Sequence, residues 1–387
     1  MGTLRYLTAG ESHGPALTTI VEGMPAGLSV PRDAIERELA RRRKGYGRGA
    51  RMKLEADDFE ILGGVRHGLT LGSPISVVVR NTEWDKWSTA MSVEPVDDPP
   101  APLTRPRPGH ADLVGMLKYG HRDARNVLER ASARETTART VAGTLARLLL
   151  DELGVAIVSH VVAIGSATAP GGSVPAPGDA ERVEASQVRC LDPGAEAAMI
   201  EAIEAAKADG DTLGGVFEVV AYGVPAGLGS YVHWDRKIDG RLAQALISIN
   251  AQKGVGVGDG FGAAGRPGSE AHDEILWSAD RGYHRPTDRS GGIEGGVTTG
   301  EPVRVRVAMK PLSTLRKPLR TVDVESKEEA VAIVERTDTC AVPSACVIGE
   351  AVVAFVLADA VLEQFGGDSV AEVVDAHRRW LEWLRKA

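Results

Sequence analysis

Residues 123–153 read DARNVLERASARETTARTVAGTLARLLLDEL. Following Gly120-His121-Arg122, this stretch predicts one long helix from about Asp123 to Leu153, and that helix decides the fold. Its apolar positions, Val127, Ala131, Val141, Leu145, Leu148 and Leu149, keep the helical period only in part, and small residues crowd its middle. A helix of this kind packs closely on its neighbours and belongs to an interior. Its start gathers arginine, serine and glutamate in a chain of net charge −8, so the cluster is no accident of composition.

Outward from this helix the pattern is mixed. Residues 4–9 and 16–22 alternate and carry β-branched side chains, as strands do, and 59–65, 74–80, 154–164, 215–222 and 302–309 read the same way. Further helices are predicted over 194–208, 238–249, 326–336, 344–364 and 369–385. Another begins at Pro31, with Ser29 as its cap and Ile35 and Leu39 on one face. Residues 97–108 form a Pro-rich connection, and 166–180 a loop rich in Gly, Pro and Ser. Strands and helices interleave without regular βαβ spacing, which predicts an α+β class. Length alone would allow two domains, but no repeat or linker divides the 387 residues.

Composition narrows the function. The chain is 43% hydrophobic, with only 4% aromatic residues, as expected of a soluble protein with an aliphatic core. Net acidity argues against general nucleic-acid binding. Glu350, Asp359 and Glu363 interrupt the apolar run 341–365, which reads as a buried helix and not a membrane span. Cys190, Cys340 and Cys346 show no metal-binding spacing, so reduced thiols, a cytoplasmic location and no metal are expected. No secretory signal is read at the N-terminus.

Positive charge is concentrated in Arg41, Arg42, Arg43, Lys44, Arg48, Arg51 and Lys53, interleaved with Gly45, Gly47 and Gly49. This predicts a basic glycine loop that closes over a phosphate or carboxylate. His13 and His110 sit in turns with small neighbours, where an imidazole can reach a cleft and do acid–base work. His67, His160, His233 and His377 are read as structural. Asp338 reads as a helix-terminal residue beside Arg336; as a functional group it would be a carboxylate at a site. Residues 289–296 are either a tight hairpin or backbone packed on a flat ligand, and Lys310–Thr314 is a polar exit from a strand suited to phosphate. Two motif matches carry less weight. Gly10-Glu11-Ser12-His13-Gly14 fits a hydrolase elbow but leads into a strand, and Gly260–Gly265 fits a dinucleotide fingerprint but runs into Arg266-Pro267-Gly268.

Taken in order and spacing, these segments resemble the chorismate synthase family over essentially the whole chain. Those that carry the resemblance are 10–14, 41–51, 105–112, 118–121, 128–136, 248–251, 290–296, 310–314 and 336–343. Residues 85–103 and 168–189 carry no recognised motif.

The resemblance implies a single domain over 1–387, with helices packed between antiparallel β-sheets, assembled as a homotetramer. It implies a carbon–oxygen lyase acting on 5-enolpyruvylshikimate 3-phosphate, releasing phosphate by anti-1,4-elimination to give chorismate in the shikimate pathway. The cofactor implied is reduced FMN, with no net redox change. An external flavin reductase would supply it, and NADPH would enter only for flavin reduction. His13, protonated, would neutralise the charge growing on the leaving phosphate, His110 would protonate the flavin near N1, and Asp338 would help N5 lose its proton. Substrate contacts would come from Ser12, Arg42, Arg48, Arg107, Arg134 and Arg336. Flavin contacts would come from Arg130, Ala131, Ser132, Asn250, Ala251, Gly295, Lys310, Pro311, Leu312, Ser313, Thr314 and Arg336, and the family also assigns Arg42 and Arg48 to a cofactor. The rival classes are a non-catalytic FMN- or anion-binding protein and a serine hydrolase using Ser12.

Overall fold

The computed structural model describes residues 4–48, 57–334 and 337–387. Arg336, Gly49, Arg51 and Lys53 therefore lie outside the described residues. The elements that build the site are, in chain order, β1 (Arg5–Ala9), β2 (Ala16–Glu22), α1 (Arg32–Arg43), β3 (Phe59–Gly63), β4 (Ile75–Arg80), α2 (Trp84–Trp87), α3 (Asp112–Tyr119), α4 (Arg125–Leu128) and α5 (Thr136–Asp151). They continue as β5 (Ala156–Ile164), β6 (Ala167–Thr168), α6 (Pro193–Ala208), β7 (Gly215–Tyr222), α7 (Ile238–Ile247), β8 (Gln252–Val257), β9 (Val303–Met309), α8 (Val342–Phe365) and α9 (Val370–Leu384).

Two antiparallel sheets enclose the helices. The first has the order β1-β2-β4-β3 and the second β8-β9-β7-β5-β6. Between them, α5 packs on β2 of the first sheet, α8 packs on β5 and β7 of the second, and α5 and α8 lie against each other. One hydrophobic cluster runs through all these layers, from Val21 and Val77 through Leu145 and Val353 to Phe217 and Val305. This is the α+β sandwich expected.

Small residues make the layers fit. A Cβ at Gly143 of α5 would lie 2.4 Å from the Ala351 carbonyl oxygen of α8, and one at Gly349 would lie 2.6 Å from the Phe217 ring on β7. Glycine at these points lets helix meet helix and helix meet sheet with no intervening side chain. α8 is long and apolar enough to cross a membrane by length and composition, but 83% of its most apolar window is buried here, which makes it a core helix.

Four sequence expectations need correction. The helix predicted over 123–153 is broken: α4 ends at Leu128 and α5 begins at Thr136, with extended backbone at Ser132 between them. Ser132 accepts a hydrogen bond from the Arg134 N–H at 3.3 Å and so starts a new helical turn. Residues 326–336 hold no helix among the described residues; Glu329–Val331 pairs with Arg320–Val322 as a hairpin. Lys327, at φ 66°, stands in the left-handed region, and the Asp323 carboxylate captures the N–H groups of Glu325 and Ser326. Both features stop a helix. α1 is preceded by Pro31 with no side-chain cap; Ser29 instead forms a β-bridge to Leu69. Asp338 does not end a helix but precedes α8.

Candidate functional site

A cavity of ≈ 1020 Å³ lies where the β1–β2 turn, the end of α1, the α4–α5 break, the α7–β8 junction, the segment after β9 and the start of α8 converge. Among the described residues its wall carries seven cationic side chains, Arg42, Arg48, Arg107, Arg134, Lys253, Lys310 and Arg316, against two carboxylates, Glu129 and Asp338. Such an excess of positive charge inside an acidic protein selects small anions.

The first acid–base group is His13, on the tight turn joining β1 to β2. The break after α4 brings Glu129 under this turn. The Ser12 N–H donates to the Glu129 carbonyl at 3.0 Å, the His13 N–H to its carboxylate at 3.0 Å, and His13 Nδ1 lies 2.8 Å from Oε2. Burial raises the Glu129 carboxyl, but the hydrogen bonds and charge of His13 outweigh it and hold the group below its ordinary range. An ionised Glu129 can only accept, so Nδ1 carries a proton toward it and Nε2 is the nitrogen left to exchange a proton with a ligand.

The second is His110, in the turn leading into α3. Its Nδ1 lies 2.5 Å from Asp112 Oδ1, and Asp112 also takes Arg107 Nε at 2.8 Å and Nη2 at 3.1 Å. Burial raises the Asp112 carboxyl, yet the bonds from His110 and Arg107 drive it well below the usual carboxylate range. Arg107 Nη2 also lies 3.2 Å from His110 Nδ1. A guanidinium only donates, so the shorter contact to an ionised carboxylate assigns the Nδ1 proton to the Asp112 bond. Arg107 Nη1 continues to Thr314 Oγ1 at 3.1 Å, and Ser313 Oγ donates to the Gly109 carbonyl at 2.8 Å. The segment after β9 is thus stitched to the His110 turn.

The arginines are held by acids, Asp57 buried and Asp338 half-buried. Asp57 stands 3.6 Å from Arg42, 3.5 Å from Arg43 and 3.8 Å from Arg134, relieving repulsion among them. Arg48 pairs with Asp338 at 3.0 Å. The basic run is therefore not one loop. Arg41–Arg43 end α1; Arg42 and Arg48 line the cavity, while Arg41 turns into the core toward Glu350. The glycine reading holds at Gly45 and Gly47, whose φ values are 129° and 86°.

The far wall suits a flat ring. Ala131, Ser132, Ala133, Asn250 and Ala251 present little side chain to the cavity. Asn250 Nδ2 donates to the Ala131 carbonyl at 2.8 Å, joining the two segments, and Ala251 is held at φ 67°. Asn250 Oδ1 and Gln252 Oε1 are buried acceptors that no donor among the described residues meets. A planar heterocycle bearing N–H groups would satisfy them, and Lys310 beside Ser313 and Thr314 would face its phosphate. Burial and the nearby Lys253 push the Lys310 ammonium below its ordinary value.

The cavity collects Ser12, His13, Arg42, Arg48, Arg107, His110, Ala131, Ser132, Arg134, Asn250, Ala251, Lys310, Leu312, Ser313, Thr314 and Asp338. Arg130 does not line it but braces it, donating to the carbonyls of Gly10 and Thr8 at 3.0 Å each. Neither Pro311 nor Gly295 is on the wall; Gly295 lies in the turn of a short hairpin, Ile293–Glu294 paired with Val297–Thr298. Sequence reasoning assigned no role to Glu129, Asp112, Asp57, Lys253, Arg316 or Trp87. Ser132 three residues before Glu135 is a helix-start signature that would have revealed the break exposing Glu129. Trp87, on α2, has no such signal.

Neither motif coincidence survives. Ser12 is 4% exposed on a turn between antiparallel strands, where a hydrolase elbow requires strand then helix. Gly260–Gly265 forms a 3₁₀ turn after β8, a strand antiparallel to its neighbour.

Fold and site together define an α+β sandwich enzyme class with two carboxylate-oriented histidines in a cation-lined cavity. Comparison with known proteins makes this specific. The family model for chorismate synthase matches residues 4–362. A chorismate synthase of Salinispora tropica is 60% identical over 377 residues, covering 95% of this chain and 96% of that protein. One of Desulforudis audaxviator is 60% identical over 383 residues, covering 99% and 98%. A crystal structure of chorismate synthase superposes with a TM-score of 0.80 at 42% identity, covering 99% of both chains. This chain belongs to the chorismate synthase family.

Proposed function

We propose that this chain converts 5-enolpyruvylshikimate 3-phosphate to chorismate by anti-1,4-elimination of phosphate, with reduced FMN and no net redox change. The observation that supports this best is the meeting of His13, His110 and Asp338 with Arg42, Arg48, Arg107, Arg134 and a small-residue wall in one cavity. A substrate with two carboxylates and a phosphate matches Arg42, Arg48, Arg107 and Arg134, whose planar guanidinium groups pair oxyanions bidentately. Charge grows on the phosphate as its C–O bond breaks, and the His13 Nε2 proton with the adjacent guanidinium groups offsets it.

The small-residue wall, the unmet acceptors of Asn250 and Gln252, and Lys310–Thr314 would hold the flavin. Reduced FMN, when bound, lends electron density for the elimination and recovers it. His110 gives a proton from Nε2, its Nδ1 being engaged by Asp112. Asp338, held by Arg48, accepts one. On this reading residues 1–387 act as one domain in a cytoplasmic homotetramer. An external reductase supplies the flavin, and NADPH serves only that reduction.

Anaerobic mixing of the protein with 5-enolpyruvylshikimate 3-phosphate and chemically reduced FMN tests the reading. Chorismate and phosphate should form in equal amounts, and neither with oxidised FMN. Tight binding of both ligands without product would replace the lyase by a binding protein.

A further inference from the structure

Trp87 lies in the stretch near the site where the sequence carries no motif, yet its indole stacks on the His13 imidazole. The ring centroids are 3.8 Å apart and the planes 23° apart. This contact is one side of a closed circuit of four side chains. Arg125 Cζ sits 5.4 Å from the centre of the Trp87 ring, Arg125 Nη1 donates to Glu129 Oε1 at 3.2 Å, and Glu129 holds His13 Nδ1 at 2.8 Å. α2 is also fastened to the turn that carries His13. The Asn81 N–H donates to the Pro15 carbonyl at 3.0 Å, and Asn81 Nδ2 donates to the Gly14 carbonyl at 2.9 Å. Its Oδ1 accepts from the Glu83 N–H at 3.1 Å, at the start of α2.

We propose that Trp87 is a positioning residue for His13, an inference that rests on the role given to His13 above. The Glu129 bond fixes one nitrogen but leaves the imidazole free to swing about the Nδ1–carboxylate axis. A flat ring against its face removes that freedom and aims Nε2. Asn81 makes the arrangement rigid by tying indole and imidazole to the same turn.

Two measurements test this. Phe at position 87 keeps a flat ring, so W87F should hold kcat within about threefold of wild type, whereas W87A should lower kcat about ten- to a hundredfold with KM nearly unchanged. Wild-type kcat in W87A, or a loss confined to KM, overturns the proposal. The second arm is tryptophan emission of the free protein, which needs neither substrate nor flavin and so stays informative if W87A folds poorly. A protonated imidazole in contact quenches indole, so in buffer more acidic than the ordinary histidine range H13Q should raise emission in the wild-type background and leave it unchanged in W87F. An equal rise in both backgrounds overturns the contact. Absence of any elimination in wild type would instead remove the functional reading, while the emission difference would still decide whether Trp87 holds His13.

Discussion

At the scale of single residues, the site consists of reactive groups each paired with a partner that holds it in place. His13 has Glu129, His110 has Asp112, Asp338 has Arg48, and Arg42 and Arg134 share Asp57. E129Q keeps the shape of the side chain but removes the charge that assigns the His13 proton. We expect it to lower kcat about ten- to a hundredfold, while H13A lowers it about a hundredfold or more, both with modest changes in KM. Steady-state kinetics of the two variants checks this. Wild-type turnover in H13A would remove His13 from the chemistry, and in E129Q it would remove Glu129 as the group that orients His13.

At the scale of elements, the decisive event is the interruption between α4 and α5. Ser132 starts the second helix and leaves Glu129, Ala131 and Ser132 to wall the cavity. Close contact between α5 and α8 then fixes where that wall stands. Helix propensity alone would favour alanine over Gly143 by about 1 kcal/mol. A Cβ there would lie 2.4 Å from the Ala351 carbonyl oxygen, between two long helices that cannot both give way. The clash should win, so G143A should destabilise by about 1–3 kcal/mol. Urea denaturation reads this directly, and a variant as stable as wild type would mean the helices separate more easily than their packing implies.

At the scale of the whole molecule, one carboxylate ties the layers together. Glu350 of α8, 1% exposed, receives Arg41 of α1 at 2.8 and 3.0 Å, Arg147 of α5 at 2.9 Å and Arg189 at 3.2 Å, with Ser159 of β5 alongside. Burial raises its carboxyl, and the three arginines reverse that and leave it far below the ordinary value. A depressed folded pKa contributes stability that is fully present above the unfolded value, about 4.3, and is lost as pH falls below it. E350Q should therefore destabilise by about 3 kcal/mol at pH 7, because three guanidinium groups lose the buried counter-charge they share and keep only Glu38 and Glu184. Its stability should also fall less steeply than wild type as the pH drops below 4.3, about where an unfolded glutamate titrates. Denaturant midpoints at stepped pH check both, and parallel curves would refute the assignment.

The local elements were largely legible in the sequence because their signals are local. Alternation marked β2 over 16–22, and a long apolar run interrupted by Glu350, Asp359 and Glu363 marked α8 as a core helix. The motif residues were legible as types at spacings. The sequence alone thus determined the class of fold, the family and the set of groups able to do acid–base and anion chemistry. Only the tertiary structure decided how they are arranged. Arg41 and Arg42 are adjacent in sequence, yet helical geometry sends one to Glu350 in the core and the other to the cavity. Glu129 lies 116 residues from His13 and orients it, and Trp87, in a stretch without motif, closes over the same ring. Such pairings depend on two segments meeting through a packed core, and no periodicity within either segment encodes the meeting.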